Sequence, residues 1–446
     1  MIKHKADVVV LGAGPAGSIA ARELGRAGVD VIMIDGGGAE GGHAVESLPP
    51  SGAPLAEEIG LLDAICEISN GPAERMHMHW RDTPETRMFD GAGPLLLART
   101  ALHGVLRSEA RAAVRYLQAR ARKIIQTEKG VEIVTDDASV TCDVIVDARG
   151  RQARKRAASD LVALPFSLNV AVPDHMMWLE AQSDGWLWAC SLEGGAVHGA
   201  LFQATDVLSG LSATARLEYA RGCLALSNAF RTHDGLQVAR PTAAGFSAVD
   251  DPVPMPRHIL IGDAAIARDP IASHGLVHAM RSAVQAAVAV RTILDPSTDS
   301  HAAFRFLRHK HAEAVATAQQ ATARAYRDQT RFLGAFWAEH AKQAEPDPDM
   351  PLTEGTVRLA SPLTRAPVLA SDRIRWAPAI ALPARHDFFT GLGPVTALDV
   401  AAACRPSASL QDIANRLGRS HAMPVVFDVL EHLALGGAFA QDAAAP

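Results

Sequence analysis

The residues whose spacing can do chemistry begin near the start of the chain. Gly12, Gly14 and Gly17 fall at the intervals G-x-G-x-x-G, with Pro15 and Ala16 between the last two, directly after the apolar run DVVVL. Asp35 closes the next apolar run, VDVIMID, 18 residues beyond Gly17. Gly12 permits a tight turn, Gly14 lets backbone approach a pyrophosphate, and Gly17 lets a helix pack closely on a strand. The helix that opens there offers unbonded N–H groups and the positive end of its dipole to phosphates. Asp35 can accept hydrogen bonds from ribose hydroxyls. A glycine-rich turn that binds nothing leaves Asp35 without a task, so the pattern points to a dinucleotide.

A second cluster, about 245 residues downstream, selects which dinucleotide. Gly262-Asp263 ends the apolar run HILIGD, and the next segment carries Asp269-Pro270, His274 and Gly275 before a helix. A second carboxylate at a strand end, with a second loop-to-helix junction, suits a ribityl chain and an isoalloxazine ring. FAD is therefore expected rather than NAD. Asp263 would bind a ribityl hydroxyl, and the helix opening near Gly275 would face the flavin's pyrimidine edge, where negative charge develops on reduction. A plain strand–loop–helix connection would leave the same pattern.

Positioning these residues requires a β-α-β unit over 7–35, ended by Asp35. A helix is expected near 55–66, exposed strands over 73–90, and a long helix over 97–121. Strands near 130–135 and 139–147 follow, ending at Asp147-Ala-Arg-Gly. Alternating patterns fill 160–250 around one helix at 212–231. After the strand at 258–263, helices are expected at 275–294 and over 300–341, and EPDPDMP reads as a linker at 344–351. The expected fold class is α/β: a Rossmann-like FAD-binding domain with an interleaved β-sheet substrate domain, plus a small C-terminal helical, winged-helix-like domain. Residues 1–160 and 250–341 would form the discontinuous FAD-binding domain, 70–95 and 161–249 the β-rich substrate domain, and 352–446 the C-terminal domain.

GAGPAG, Arg99 in LLLART, DARGR at 147–151 and GDAAIARDP at 262–270 together resemble the flavoprotein monooxygenase superfamily that includes the tryptophan halogenases, over roughly residues 1–335. DARGR stands where the aromatic hydroxylases carry DG-x-x-S, and AVESLPP at 44–50, with Glu46, looks like the flavin-loop segment of the halogenase-like branch. The resemblance implies that Arg99 lies near the FAD phosphates or ribityl chain, with Asp147 in the cofactor-binding set. Tryptophan halogenases also carry W-x-W-x-I-P and a lysine that captures hypohalous acid. Trp186-Leu187-Trp188-Ala189-Cys190-Ser191 keeps both tryptophans but not the Ile-Pro pair, and residues 72–90 contain no lysine.

What remains is direct oxygen transfer from a flavin C4a-hydroperoxide to an electron-rich ring, which calls for a dry pocket and a base. Glu46, His43, Asp269 and His274 are the candidate bases, although His274 reads equally well as a loop histidine that bonds backbone. Trp186 and Trp188 share one face of a strand, as pocket wall or as core. His77 and His79 also share a face, but no third ligand is evident and no metal is assigned.

Apolar positions recur at helical spacing over 397–404, 410–417 and 424–435, with Ser409-x-x-Asp412 as a helix start and Gly418 as a stop. This stretch resembles winged-helix peptide-recognition domains of the kind that accompany quinone-cofactor biogenesis; a domain that only packs on the flavin core would look the same. The combined likeness is to enzymes that mature protein-derived tryptophylquinone cofactors. It implies hydroxylation of a tryptophan in a precursor polypeptide, the small subunit of a quinone-cofactor amine dehydrogenase. The reaction would use reduced FAD and O2, with electrons from NADH, NADPH or a separate reductase. Two other readings stay open: a small-molecule flavin hydroxylase, halogenase or isoprenoid-type reductase, and a flavin-containing peptide-binding protein.

Composition narrows the partners. The 446 residues are 48% hydrophobic and 21% charged with a formal net charge of −6, which gives no electrostatic reason to bind nucleic acid or an anionic membrane. No apolar run reaches the roughly 18 residues of a membrane span. Five cysteines with no CxxC pair fit a reducing compartment, and a cytoplasmic location is expected.

Overall fold

The short apolar runs become one parallel sheet, in the order His258–Leu260, Val144–Asp147, Val8–Leu11, Val31–Asp35, Arg115–Gln118. The computed structural model describes the whole chain except residues 1, 38–44, 92, 128–129, 154–159, 171, 193, 228–229, 231–234, 342–355, 386 and 442–446. His43 and the expected linker at 344–351 therefore lie outside the described residues. Strands Val8–Leu11 and Val144–Asp147 are buried along their whole length because both sheet faces are covered. Val9, Leu11, Ile32 and Ile145 pack against Ile133 and Val140 of a second sheet, ordered Ile2–Lys5, Ala138–Cys142, Gly130–Val134, Lys123–Thr127. The alternate side chains turn toward helix Pro15–Arg26.

The helix expected over 97–121 is shorter than its periodicity suggested. It runs Arg99–Ala113, after a strand at Leu95–Ala98, and Val114 turns extended into the fifth parallel strand, Arg115–Gln118. Pairing with Val31–Asp35 satisfies that backbone, and Arg115 anchors the edge through Asp30 and the Lys5 carbonyl. Tertiary pairing here overrides local propensity.

The alternating segments form a mixed sheet ordered Gln237–Val238, Leu161–Asn169, Ala196–Ala204, Gly185–Ser191, Met176–Gln182, Arg75–His79, Glu85–Met88, with Thr242–Ala243 also paired to Leu161–Asn169. Both faces of its central strands are buried, while the edge strand Glu85–Met88 is exposed. One face carries Phe166, Trp178, Leu187 and Phe230; the other carries Trp186 and Phe202 against Trp80, Tyr326, Phe336 and Trp337.

The chain divides into two compact units, Met1–Ala287 with Thr317–Ala344, and Val288–Ala316 with Glu345–Pro446. The flavin-type sheet and the β-rich sheet thus share the first unit, while Val288–Ala316, expected to belong with the flavin domain, groups with the C-terminal residues. The second unit holds three helices in its C-terminal part, Ala397–Ala403, Leu410–Leu417 and Met423–Leu435. Ser409 caps the second of these, accepting from Asp412 N at 3.1 Å, and Gly418 follows its end. Strand Ala408–Ser409 lies between the first two helices and pairs with Thr356–Leu359, whose other edge takes Phe439–Gln441 after the third helix. This is a winged-helix-like arrangement, one strand of which comes from the chain ahead of the helices. It is richer in strand than the sequence suggested, because Thr364–Ala370, Arg373–Leu382 and Asp387–Phe389 form a further antiparallel sheet. Among the described residues no helix is long and apolar enough to cross a membrane.

Leu433 is fully buried in the second unit among Ile413, Val426 and Val429. Leu433→Ala is expected to destabilise this unit by about 2–5 kcal/mol, read as a lowered urea midpoint for its unfolding; an unchanged midpoint would remove this core assignment.

Candidate functional site

Three turns meet at the carboxyl ends of neighbouring parallel strands. The first, at Gly12–Gly17, follows Val8–Leu11, with Gly12 at φ +94°. A Cβ on Gly12 would stand 2.6 Å from the Ala148 carbonyl oxygen, and one on Gly17 would stand 1.9 Å from the Gly12 oxygen. Gly14 is different: its Cβ would meet nothing within 4 Å. Two glycines are thus demanded by the protein's own packing, and the third faces open space where backbone can approach a ligand. Helix Pro15–Arg26 starts there with no side-chain cap and no acid in its first turn, so its N-terminal N–H groups are left for an anion.

The second turn, Asp147-Ala148-Arg149-Gly150, is stitched to its neighbours by Ala148 N donating to the Leu11 carbonyl at 2.8 Å and Ile261 N donating to the Asp147 carbonyl at 3.1 Å. The third, Gly262–Ala264, has Gly262 at φ +54°, where a Cβ would sit 2.7 Å from the Ala16 Cβ. Asp263 is exposed beside Gly150. Gly12, Gly14, Pro15, Ala16, Gly17, Gly262 and Asp263 are therefore brought to one place, with an open cradle that fits the phosphates and sugar chain of FAD.

Asp147 plays a different part from the one expected. Its carboxylate is buried and receives Arg149 through Nε at 2.9 Å and Nη2 at 2.6 Å, with His258 Nε2 at 3.4 Å. Burial alone would raise its pKa, but these hydrogen bonds outweigh it and hold the group at about 2. A permanently ionised Asp147 fixes the turn from within. Asp35 ends its strand half-buried, with the Tyr116 hydroxyl 3.4 Å away. Glu46 and Arg99, expected in separate roles, form one ion pair at 2.7 Å across the Val45–Leu48 and Leu95–Ala98 ladder.

Two of the residues expected to do catalysis, Trp186 and Asp269, belong to a buried hydrogen-bonded chain. Trp186 Nε1 donates to the Tyr326 hydroxyl at 3.2 Å, and that hydroxyl donates to Asp269 Oδ2 at 3.1 Å, while Asp269 Oδ1 accepts from Ile271 N at 3.0 Å. Trp186 is 1% exposed, stacked on Phe202 with ring centroids 3.8 Å apart, so it is core rather than an open pocket wall. Trp188, two residues on, is half-buried on the same face. Burial raises the Asp269 pKa to about 6 against the opposing hydrogen bonds from Ile271 and Tyr326. Tyr326 left no signal in the sequence, because it lies on an Ala/Arg-rich helix 57 residues from Asp269 and its role exists only through tertiary contact.

Pro270 opens the short turn that Asp269 caps, and Ser273, at φ +48°, reverses the chain before helix Gly275–Leu294. His274 is exposed and its Nδ1 contacts the Ala272 carbonyl, which is the plainer of the two expected readings. A Cβ on Gly275 would meet nothing within 4 Å, leaving this helix start open as well.

A cavity of about 190 Å³ lies against this turn, lined by Met78, Trp80, Leu179, Ile271 and Ala325 on its apolar side and by Arg81, Thr83, Glu85 and Asp328 on its polar side. Glu85 and Asp328 were not among the expected bases. His79 is buried, and burial lowers its pKa, with Arg331 adding to the effect. His77 Nδ1 lies 3.4 Å from Thr86 Oγ1. Among the described residues, the group of three ligand-type side chains close enough for one ion is elsewhere, at His309, Glu313 and Asp387.

Comparison with known proteins places this geometry. Residues 5–160 match the family described as FAD binding domain. A 1H-pyrrole-2-carbonyl-(peptidyl-carrier protein) chlorinase of Pseudomonas fluorescens is 42% identical over 95 residues, 20% of this chain; the chain spans about a fifth (21%) of the length of that curated relative. Among the solved structures that match, two do so over nearly the whole chain or all of it. The peptidyl tryptophan dihydroxylase QhpG, described as essential for tryptophylquinone cofactor biogenesis, has a TM-score of 0.76 at 23% identity, covering 97% of this chain and 99% of that one. The flavin-dependent halogenase CmlS has a TM-score of 0.77 at 17% identity, covering 100% and 97%. The fold is that of the halogenase-like flavoprotein monooxygenases, an FAD-dependent oxidoreductase fold.

Gly14→Val is expected to fold normally by circular dichroism yet bind FAD roughly tenfold or more weakly by flavin absorbance, whereas Gly17→Val should not yield folded protein. Equal flavin content in Gly14→Val and the unaltered chain would place the pyrophosphate elsewhere. Because the folded state holds the Asp269 proton above the pH at which the unfolded chain releases it, this group stabilises the fold below about pH 4, and the contribution is lost as pH rises through about 6. Relative to Asp269→Asn, the unaltered chain should therefore lose on the order of 3 kcal/mol of stability between about pH 4 and pH 7. Parallel pH profiles for the two would show that Asp269 keeps an ordinary pKa.

Proposed function

We propose that this chain is an FAD-dependent monooxygenase that hydroxylates a tryptophan side chain in a precursor polypeptide, as a step in making a tryptophylquinone cofactor. The observation that carries the reading is the combination of a complete flavin cradle with a segment, 72–90, that contributes Arg81 and Glu85 to the neighbouring cavity and contains no lysine. Full-length likeness to a peptidyl tryptophan dihydroxylase, C-terminal unit included, supports a polypeptide substrate.

In this reading Gly12–Gly17 and the first helix hold the pyrophosphate, Asp35 the ribose hydroxyls, and Asp263 the ribityl chain, with Arg99 oriented by Glu46. FAD, when bound and reduced, supplies the activation of O2 for oxygen transfer to an electron-rich ring. Met78, Trp80, Leu179 and Ile271 exclude water from an indole seated in the cavity. Trp186, Tyr326 and Asp269 act beneath it as positioning residues: their hydrogen bonds fix the turn that carries Ile271, and with 1% exposure at Trp186 they do not touch substrate. The proton released as the hydroxylated ring regains aromaticity goes to a carboxylate lining the cavity, Glu85 or Asp328. Glu46 is engaged by Arg99, Asp269 is buried, and the His274 ring is turned onto backbone, so among the described residues the two cavity-lining carboxylates are the better placed acceptors.

A second reading, a halogenase or a small-molecule flavin hydroxylase, is favoured by the equal full-length likeness to a flavin-dependent halogenase. Mass spectrometry of an amine dehydrogenase small-subunit precursor, incubated with the holoenzyme, a reductant and O2, separates them. A gain of two oxygens at one tryptophan is expected. Incorporation of halide from a chloride or bromide buffer establishes the second reading, and an unmodified precursor overturns the first.

A further inference from the structure

The second unit contains a basic hollow that the flavin chemistry does not use. It has a volume of about 560 Å³ and is lined by Arg305, Leu363, Thr364, Arg365, Trp376 and Pro378. Arg305 holds its guanidinium over the Trp376 ring, 5.9 Å from the centroid, and the indole is fixed from its other side by Nε1 donating to Asp299 Oδ2 at 2.8 Å. The Asp299 carboxylate is engaged by that indole and by His301 N. Arg305 and Arg365 are exposed and have no ion-pair partner among the described residues. Their neighbours in the same unit behave otherwise: Arg291 and Arg373 are both paired, with Asp372 and Asp295.

Strand Thr364–Ala370 runs out of the hollow as an edge, paired only to Arg373–Leu382 in its sheet. Pro367 lacks an N–H, so an added strand would pair to either side of it, the stretch ahead of it lying beside Arg365 and the hollow. Two uncompensated guanidiniums select a carboxylate. The apolar Leu363, Pro378 and Trp376, the size of the hollow and the open strand edge select an extended chain over a small anion. We propose that this hollow is a docking subsite for an acidic, extended polypeptide segment, paired along Thr364–Ala366 with its carboxylates held by Arg305 and Arg365. The identification of that segment with part of the substrate rests on the function proposed above; the binding itself does not.

The test uses the full-length holoprotein and a fluorescein-labelled peptide of alternating Glu and Val, read by fluorescence anisotropy. A Lys/Val peptide and a labelled oligothymidylate serve as comparisons. Preferred binding of the Glu/Val peptide is expected, with affinity falling as salt rises and at least roughly tenfold weaker in Arg305→Ala/Arg365→Ala. Arg375→Ala/Arg419→Ala, which removes equal charge from exposed positions outside the hollow, should bind as the unaltered protein does. Flavin absorbance and circular dichroism confirm that each variant is folded. Equal loss in both double variants, retained binding in the first, or a preference for the Lys peptide or the oligonucleotide would overturn the proposal. Because no outcome depends on flavin reduction or product, failure here leaves the oxygen-insertion reading standing, and an unmodified precursor leaves this one standing.

Discussion

The closeness of three backbone turns sets the terms for everything at the flavin end of the first unit. Gly12 lies so near the Ala148 carbonyl, and Gly17 so near Gly12 itself, that no side chain fits at either position. Such contacts form only if strands Val8–Leu11 and Val144–Asp147 stay in register and the Asp147 turn does not move. The Asp147 carboxylate supplies that rigidity: it is ionised although buried, because Arg149 and His258 surround it. Removing one partner of such a buried pair leaves an uncompensated charge, a much larger penalty than the net worth of the pair itself. A residue that reads in sequence as a cofactor ligand is better understood as what keeps the ligand's cradle in shape.

The same logic of buried polar groups governs the neighbouring layer. Trp186, Tyr326 and Asp269 would each be costly to bury alone. Linked in series they satisfy one another, and the last link caps the turn carrying Ile271, so a hydrogen-bonded chain inside the core sets the position of a cavity-lining residue. The price is a carboxyl group that prefers to be neutral well above its ordinary range. Tyr326 is enclosed by Phe336, Trp337 and His340, so its hydroxyl has Asp269 and Trp186 as partners and little access to water.

Much of the first unit was legible in the sequence because its signals are local. The β-α-β unit, the glycine spacing, Asp35 and the Gly262-Asp263 strand end each announce themselves within a few residues. The readings that changed were those in which a distant segment decides. Arg115–Gln118 continues a helical pattern but pairs as a strand, since the open edge of Val31–Asp35 satisfies its backbone. Glu46 looked like a base until Arg99, 53 residues away, engaged it. Tyr326 carries no motif at all. In the C-terminal part the helix starts and stops were readable from Ser409 and Gly418, while the strand that completes the winged-helix sheet, Thr356–Leu359, was not, because its partners lie on either side of three helices.

The division of the chain bears on what kind of substrate the protein handles. Flavin cradle, aromatic core and cavity all lie within the first unit. The second unit has its own buried core. Its surface carries Arg305 and Arg365, which have no ion-pair partner among the described residues, an open strand edge and an exposed Phe427 on its third helix. Under the function proposed above, these features would hold a polypeptide by its backbone while a single indole is oxidised, a task for which a small, exposed strand edge and free guanidiniums are physically suited.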